Sequence, residues 1–351
     1  MDATTVAVDV AKDVFEVALA NRAGRVIGRR RLTRRQFGIF LETLAPAVEV
    51  VMETGSTAHY WGRRCQARGL TVFLVPAQYV RPYVRRNKTD RSDAEALLEA
   101  RRCGGIHPVP VKSVEQQSLQ ALHRIRAQWQ TARTARINVM RGVLREHGVF
   151  IGAGARTAVQ TVHSVVSDPA VALPDVVRQA LALLLEEVRQ LAASVHTIDV
   201  QLARLVRQHP IARRLHEIPG VGVLTASALV GAVGDIQAFR RGRQFASWLG
   251  LTPREYSSGS RRWLGGISKR GDAYLRCLLT HGARAVVQSA TRAVQRTPDR
   301  VTRLQQWAVT VALRGGRNKA ISAVANKLAR IVWVVWSRGI DFVDDPREQP
   351  A

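Results

Sequence analysis

The chain has 351 residues, enough for two or three domains with cores of their own. It carries 53 Lys and Arg against 27 Asp and Glu, a net charge of +26, yet 46% of its residues are hydrophobic. That balance argues against a disordered chain and points to a folded protein with a polyanionic partner.

The first hundred residues read as α/β. Thr4–Val10 and Val14–Ala20 are β-rich runs, Asn21–Gly24 is a turn, and Arg25–Leu32 resumes an extended pattern. A helical stretch follows at Arg34–Ala45. Then come a strand at Val48–Glu53, a helix at Ala58–Gly69, a strand at Leu70–Val75 stopped by Pro76, and a helix at Ser92–Gly105. The order βββαβαβα is that of the ribonuclease-H-like fold.

From Val111 to Gly148 the pattern is helical and Arg-rich, and residues 151–174 read as a loop or insert without a motif. Val177, Leu181, Leu184, Val188, Leu191, Val195, Ile198, Leu202 and Leu205 then step 4-3-4-3. That narrow seam predicts a coiled coil, with a partner helix in trans or within the chain. The third region opens on Ile218-Pro-Gly-Val-Gly222 between apolar helices, similar to a helix-hairpin-helix element. The backbone N–H groups of Gly220 and Gly222 are candidates to hold a phosphate there, although a plain helix connection has the same sequence. Arg254–Gly271 reads as a basic glycine-rich loop with Arg254, Arg261, Arg262, Lys269 and Arg270, and with Ser257 and Ser258 just before Gly259. Helical patterns fill the rest. These shifts predict an α/β domain at residues 1–108, a helical coiled-coil linker at 109–210 and a mainly helical C-terminal domain at 211–351.

Cys65, Cys103 and Cys277 stand apart from one another and from any His at ligand spacing, so neither a disulfide framework nor a zinc site is expected. The N-terminus lacks the basic and apolar regions of a signal peptide. The apolar run Ile331–Trp336 is too short to span a bilayer. A prokaryotic cytoplasmic, nucleoid-associated protein with no membrane partner is the expectation.

Four carboxylates carry chemistry. Asp9 sits inside an apolar strand, where a lone acid is costly unless a positive group meets it. Glu53 ends a second apolar strand, and Asp90 and Asp93 share one face at the start of a helix. Capping explains the last pair individually, and a salt bridge explains Asp9. Four acids at converging element ends instead require divalent cations, and hard oxygen ligands select Mg²⁺ or Mn²⁺. Arg85, Arg86, Lys88 and Arg91 would steer a phosphodiester toward them, the arrangement of two-metal phosphoryl transfer.

With these residues in view, the chain resembles the DEDD transposases of the IS-one-ten insertion-sequence family. The likeness rests on "DVAKD", "METGS", "NKTDRSDA", "IPGVG", "FASWLGLTPREYSSGS" and "ISKRGDAYLR", and runs from Val6 to about Gly339. It implies a RuvC-like domain, a coiled-coil linker and a C-terminal transposase domain. It also implies an active site made of Asp9, Glu53, Asp90, Asp93 and Ser258, with Ser258 as nucleophile through a phosphoserine intermediate. Donor and target DNA, an element-encoded guide RNA that pairs with both, and a dimer or tetramer with composite active sites are implied partners. The chief alternative is a metal-only RuvC-like nuclease without serine chemistry. An ATP-binding protein of the actin and sugar-kinase superfamily, or a non-enzymatic nucleic-acid binder, fits less of the chain.

Overall fold

The computed structural model describes residues 3–83 and 90–344, with only the backbone described for residues 90–92. The chain divides into two compact units, Met1–Gln117 and Ser118–Ala351.

The first unit contains β1 (Thr5–Val10), β2 (Val14–Ala20), β3 (Val26–Thr33), α1 (Arg34–Glu42), β4 (Glu49–Glu53), α2 (Ala58–Ala67), β5 (Thr71–Val75), the short α3 (Ala77–Val80) and α4 (Asp90–Arg102). The strands form one mixed sheet in the order β3-β2-β1-β4-β5, antiparallel through β3-β2-β1 and parallel through β1-β4-β5. Side chains alternate across a strand. Val6, Val8, Phe15, Val50 and Met52 pack with Phe37 and Leu41 of α1 and Trp61 and Cys65 of α2. Ala7, Ala18, Val51 and Val75 meet Ala94, Leu97 and Leu98 of α4 on the opposite face. The sheet is thus buried on both sides, which explains why β1 and β4 read as continuous apolar runs.

The second unit is helical but for one hairpin. It comprises most of α5 (Val114–Glu146), then α6 (Ala155–Ser167), α7 (Asp175–Gln208), α8 (Pro210–His216), α9 (Val223–Val233), α10 (Gly242–Trp248), β6 (Pro253–Glu255), β7 (Leu264–Ile267), α11 (Ala273–Arg296), α12 (Arg303–Gly315) and α13 (Arg317–Arg338). Residues 151–174 therefore correct the expectation of a loop. α6 buries Ala158, Val162 and Val165 against Ile137, Met140 and Leu144 of α5 and Leu181, Leu185 and Val188 of α7. The ion pairs Arg126–Asp199 (2.6 Å) and Arg136–Glu187 (2.7 Å) fix α5 and α7 antiparallel. Much of the heptad seam is covered inside this unit: Leu181, Val188, Val195, Ile198 and Leu202 are buried, while Val177, Leu184 and Leu191 are half-buried and Leu205 is exposed.

α9 is apolar on every side and lies buried among α7, α8 and α11. The turn before it, through Gly220, presses onto α11. A Cβ on Gly282 would lie 1.8 Å from the Gly220 carbonyl oxygen. Backbone meets backbone there, so neither side can yield cheaply. Gly282→Ala is expected to destabilise this unit by about 1–3 kcal/mol or more. Gly222→Ala, where nothing lies within 4 Å of the added carbon, should cost under ~0.5 kcal/mol. Chemical denaturation of the two variants measures the contrast.

Among the described residues no helix is long and apolar enough to cross a membrane. Val332 and Val335 of the late apolar run face the core of the second unit.

Candidate active site

Asp9 and Glu53 each stand one residue beyond Val8 and Met52, the last paired positions of the parallel strands β1 and β4. Val8 and Met52 point to the α1–α2 face. Alternation therefore turns Asp9 and Glu53 to the α4 face, in line with Ala7 and Val51.

α4 runs antiparallel to β4. Its last turn is tied to the start of β4 by the two-pronged Arg101–Glu49 pair, at 2.8 and 3.1 Å. From Glu49 to Glu53 the strand advances about 13 Å. From Arg101 back to Asp93 the helix covers about 12 Å. Asp93 therefore lies toward the Glu53 end of β4. Asp93 Oδ1 is buried and has no hydrogen-bond partner among the described residues. A buried carboxylate oxygen without a donor is costly unless a cation or ordered water meets it. A further acid that the sequence did not single out, Glu16, pairs with Asp9 across β1 and β2 and is engaged by Arg31 at 3.3 Å.

Among the described residues no three His, Cys, Asp or Glu side chains form a ready metal-binding group. The Asp90 side chain lies outside the described residues, as do Arg85, Arg86, Lys88 and the side chain of Arg91. The donor set still suits a divalent cation. It is all carboxylate, two members lie near the C-terminal ends of adjacent parallel strands, and a third presents a buried oxygen without a partner among the described residues. The backbone between Glu53 and α2 is also strained. Thr57 holds a left-handed φ of 68°, and its buried hydroxyl has no partner among the described residues.

The basic glycine-rich loop of the second unit is built on a β-hairpin, which the reading as a loop did not include. β6 and β7 pair antiparallel, and Ser258 and Arg261 exchange both backbone hydrogen bonds at 3.2 Å around Gly259 and Ser260. Gly259 has a φ of 56°, which favours glycine. The base of the hairpin is clamped. Lys269 N–H donates to Gly250 O at 3.1 Å, and a Cβ on Gly250 or Gly271 would fall 1.9 Å from the carbonyl oxygen of Arg270 or Trp248. Asp272 then caps α11 through the N–H groups of Tyr274 and Leu275.

The two serines differ. Ser257 Oγ donates to Glu255 Oε1 at 2.9 Å, and Arg262 contacts the same oxygen at 3.0 Å. Those two contacts hold the Glu255 carboxyl below its ordinary range. The Ser258 hydroxyl is exposed and has no hydrogen-bond partner among the described residues. Arg254, Arg261 and Arg262 are exposed on the same ribbon, and Lys269 and Arg270 are exposed at its base. Gly222 is exposed at the start of α9, whereas Gly220 is half-buried by its contact with α11.

His123, which no motif in the sequence marks, is 5% exposed. Its Nδ1 meets the Tyr274 hydroxyl at 2.9 Å and its Nε2 meets Ser227 Oγ at 3.0 Å, tying α5 to α9 and α11. Ser227 donates to Val223 O at 2.7 Å, so it accepts from Nε2–H, and Tyr274 donates to Nδ1. Burial, with help from Arg126, pushes this imidazole down to about 4. An unfolded His titrates near 6.5. Between these values the unfolded chain binds the proton and the folded one does not. The contribution of His123 to stability is therefore expected to fall as pH drops from about 6.5 to 4, by roughly 2–3 kcal/mol, and to stay flat above that window. His123→Gln should make the profile shallower in denaturant titrations run across this range, leaving the fall due to His59, which burial also pushes down to about 4.

Residues 6–149 match a family model for DEDD transposases of the IS110 type, and residues 212–297 match one described as transposase IS116/IS110/IS902 family. The chain is 40% identical over 339 residues to a Pseudomonas aeruginosa protein called a probable family 20 transposase, covering 96% of this chain and 98% of that one. It is 37% identical to the Coxiella burnetii transposase for insertion sequence element IS1111A, over 96% of this chain and 90% of the relative. Against the Yersinia enterocolitica transposase for element IS1328 the figures are 34%, 97% and 98%.

Proposed function

The chain belongs to the IS116/IS110/IS902 transposase family, and from that premise we propose that it cuts and rejoins DNA through Ser258, assisted by the four carboxylates. Membership makes it an insertion-sequence transposase, an enzyme of DNA strand cleavage and strand transfer. The finer chemistry is our reading. The sheet order β3-β2-β1-β4-β5 supports a RuvC-like, ribonuclease-H-like first domain, within residues 1–108. A coiled-coil linker at 109–210 and a serine-bearing domain at 211–351 complete the proposed division.

The observation that carries the serine assignment is the contrast at the hairpin: Ser257 is engaged by Glu255, while Ser258 stands exposed beside Gly259. In the proposed reaction Ser258 Oγ attacks the scissile phosphorus. The oxygen–phosphorus bond forms as the bond to the departing strand's oxygen breaks. The serine proton leaves to solvent, and the released oxygen takes up a proton. The phosphoserine keeps the bond energy of the cut strand, so a second strand end can displace the serine without a nucleotide cofactor. Arg254, Arg261 and Arg262 hold the backbone phosphates. Asp9, Glu53, Asp90 and Asp93 would hold Mg²⁺ or Mn²⁺, which supplies charge stabilisation at the phosphate when bound.

We further propose that an element-encoded RNA pairs with donor and target DNA, and that two or four copies assemble so that one subunit's serine completes another's carboxylate site. The net charge of +26 is suited to two nucleic-acid partners. The test is denaturing electrophoresis of the protein with a labelled, nicked DNA spanning the element junction, in Mg²⁺ and with RNA transcribed beside the gene. A covalent protein–DNA band supports the serine route. Cleavage without any adduct favours the metal-only nuclease instead.

A further inference from the structure

The β6–β7 ribbon is exposed on every residue from Pro253 to Gly266, yet it carries two large aromatic side chains. Tyr256 is 60% exposed and Trp263 is 71% exposed. Neither contributes to a core, and both leave apolar area in water that burial elsewhere would have removed. They are cross-strand neighbours, since Tyr256 N–H donates to Trp263 O at 2.9 Å. Their ring centroids lie 6.2 Å apart with planes at 51°, so the rings do not cover each other's faces. Tyr256 rests near bare backbone: a Cβ on Gly265 would sit 3.7 Å from its ring. Ser257 and Ser258 follow Tyr256 directly, and Arg261 and Arg262 directly precede Trp263.

We propose that Tyr256 and Trp263 form a stacking platform for unpaired nucleotides beside the phosphate that Ser258 attacks. Charge selects the occupant. The matching ribbon of a second copy carries the same exposed arginines, so the rings of one ribbon would not stack on those of another. A polyanion with flat apolar faces matches both the arginines and the rings. A duplex hides its base faces in the stack, whereas an unpaired strand offers them. The platform would hold bases next to the scissile step out of their stack, leaving the intervening phosphate open to the ribbon tip. The position relative to chemistry rests on Ser258 being the nucleophile; the affinity for unpaired bases does not.

The test compares the full chain with Trp263→Ala, Tyr256→Ala and Trp263→Phe at one fixed salt concentration. The probes are oligothymidylate and a duplex of equal length. Trp263→Ala and Tyr256→Ala should each weaken oligothymidylate binding roughly ten-fold, leave duplex binding within about two-fold, and Trp263→Phe should retain most of the affinity. Both residues are exposed, so melting temperatures should not move, and the two alanine variants check each other should one fold poorly. Unchanged oligothymidylate affinity in both alanine variants overturns the platform. So does an equal loss for both probes, which marks general backbone binding. A fall in particle mass by light scattering, with affinities unchanged, means that the rings cover another copy and also overturns it. Ser258→Ala should keep wild-type affinity for oligothymidylate. If no serine adduct ever forms, yet Trp263→Ala loses only single-strand affinity, the serine chemistry fails and the platform stands.

Discussion

Ser258→Ala is expected to bind DNA with nearly unchanged affinity and to form no covalent adduct with it. The binding groups are the exposed arginines of the hairpin, and a single neutral hydroxyl adds little to their counterion release. The covalent step, by contrast, has no substitute for the missing oxygen. Strand exchange should fall by about 10³-fold or more, to the level left by binding and charge stabilisation alone. Ser257→Ala is the internal control. It removes the 2.9 Å bond to Glu255 but leaves the Arg262 contact to the same carboxylate. Its adduct should form, at a rate within about ten-fold of wild type, the cost of a slightly looser ribbon. If Ser258 served only to hold a phosphate, its loss would weaken binding modestly and leave cleavage intact. If the adduct survived Ser258→Ala and vanished in Ser257→Ala, the nucleophile would be the neighbour. Gly250→Ala adds a positional check. Its Cβ would collide with Arg270 O at the hairpin base, so exchange should fall although the serine remains.

The legible parts of this chain were those that local chemistry decides. Asp9 and Glu53 stand out because a charge within or at the end of an apolar run needs a reason, and each follows the last residue of its strand in the β1–β4 pairing, Val8 or Met52. The direction of α4 was not legible. It shows in contacts that no window of sequence displays, Arg101 with Glu49 across 52 residues and Leu97 against the sheet. The seam of α7 was visible, but its partner was not. The same Leu181 and Val188 would suit another subunit, and here α5 and α6 of the same chain cover them. α6 itself escaped notice because Gly152, Gly154 and Pro169 bracket it and its face is short. The hairpin was read as a loop because its strands are three and four residues long and have no buried face to impose alternation. Tyr256 and Trp263 were overlooked for a related reason. Exposed aromatics declare themselves only once a structure shows that nothing covers them.

Asp93→Asn is expected to abolish strand cleavage while leaving the fold as stable as before, or slightly more so. The change is nearly isosteric and removes one negative charge at an end of the sheet where Asp9, Glu16 and Glu53 share a face. Removing the charge from a side chain whose buried Oδ1 has no hydrogen-bond partner among the described residues then stabilises the resting protein. A carboxylate that only served α4 would behave differently. Its loss would weaken the favourable charge at the helix N-terminus and cost up to about 1 kcal/mol, with activity largely kept. The two roles therefore move stability and activity in opposite senses. A second readout avoids turnover altogether. If the carboxylates hold a divalent cation, adding Mg²⁺ or Mn²⁺ at a hundred times its dissociation constant should raise wild-type stability by about 2.7 kcal/mol through mass action. That increment should shrink or disappear in Asp93→Asn, and also in Asp9→Asn and Glu53→Gln, which occupy the two strand ends. Thermal melting with and without the cation measures it. Full cleavage activity in Asp93→Asn, together with an undiminished cation-dependent rise, would show that the orphaned Oδ1 is a structural detail of α4 and that the metal, if used, is held elsewhere.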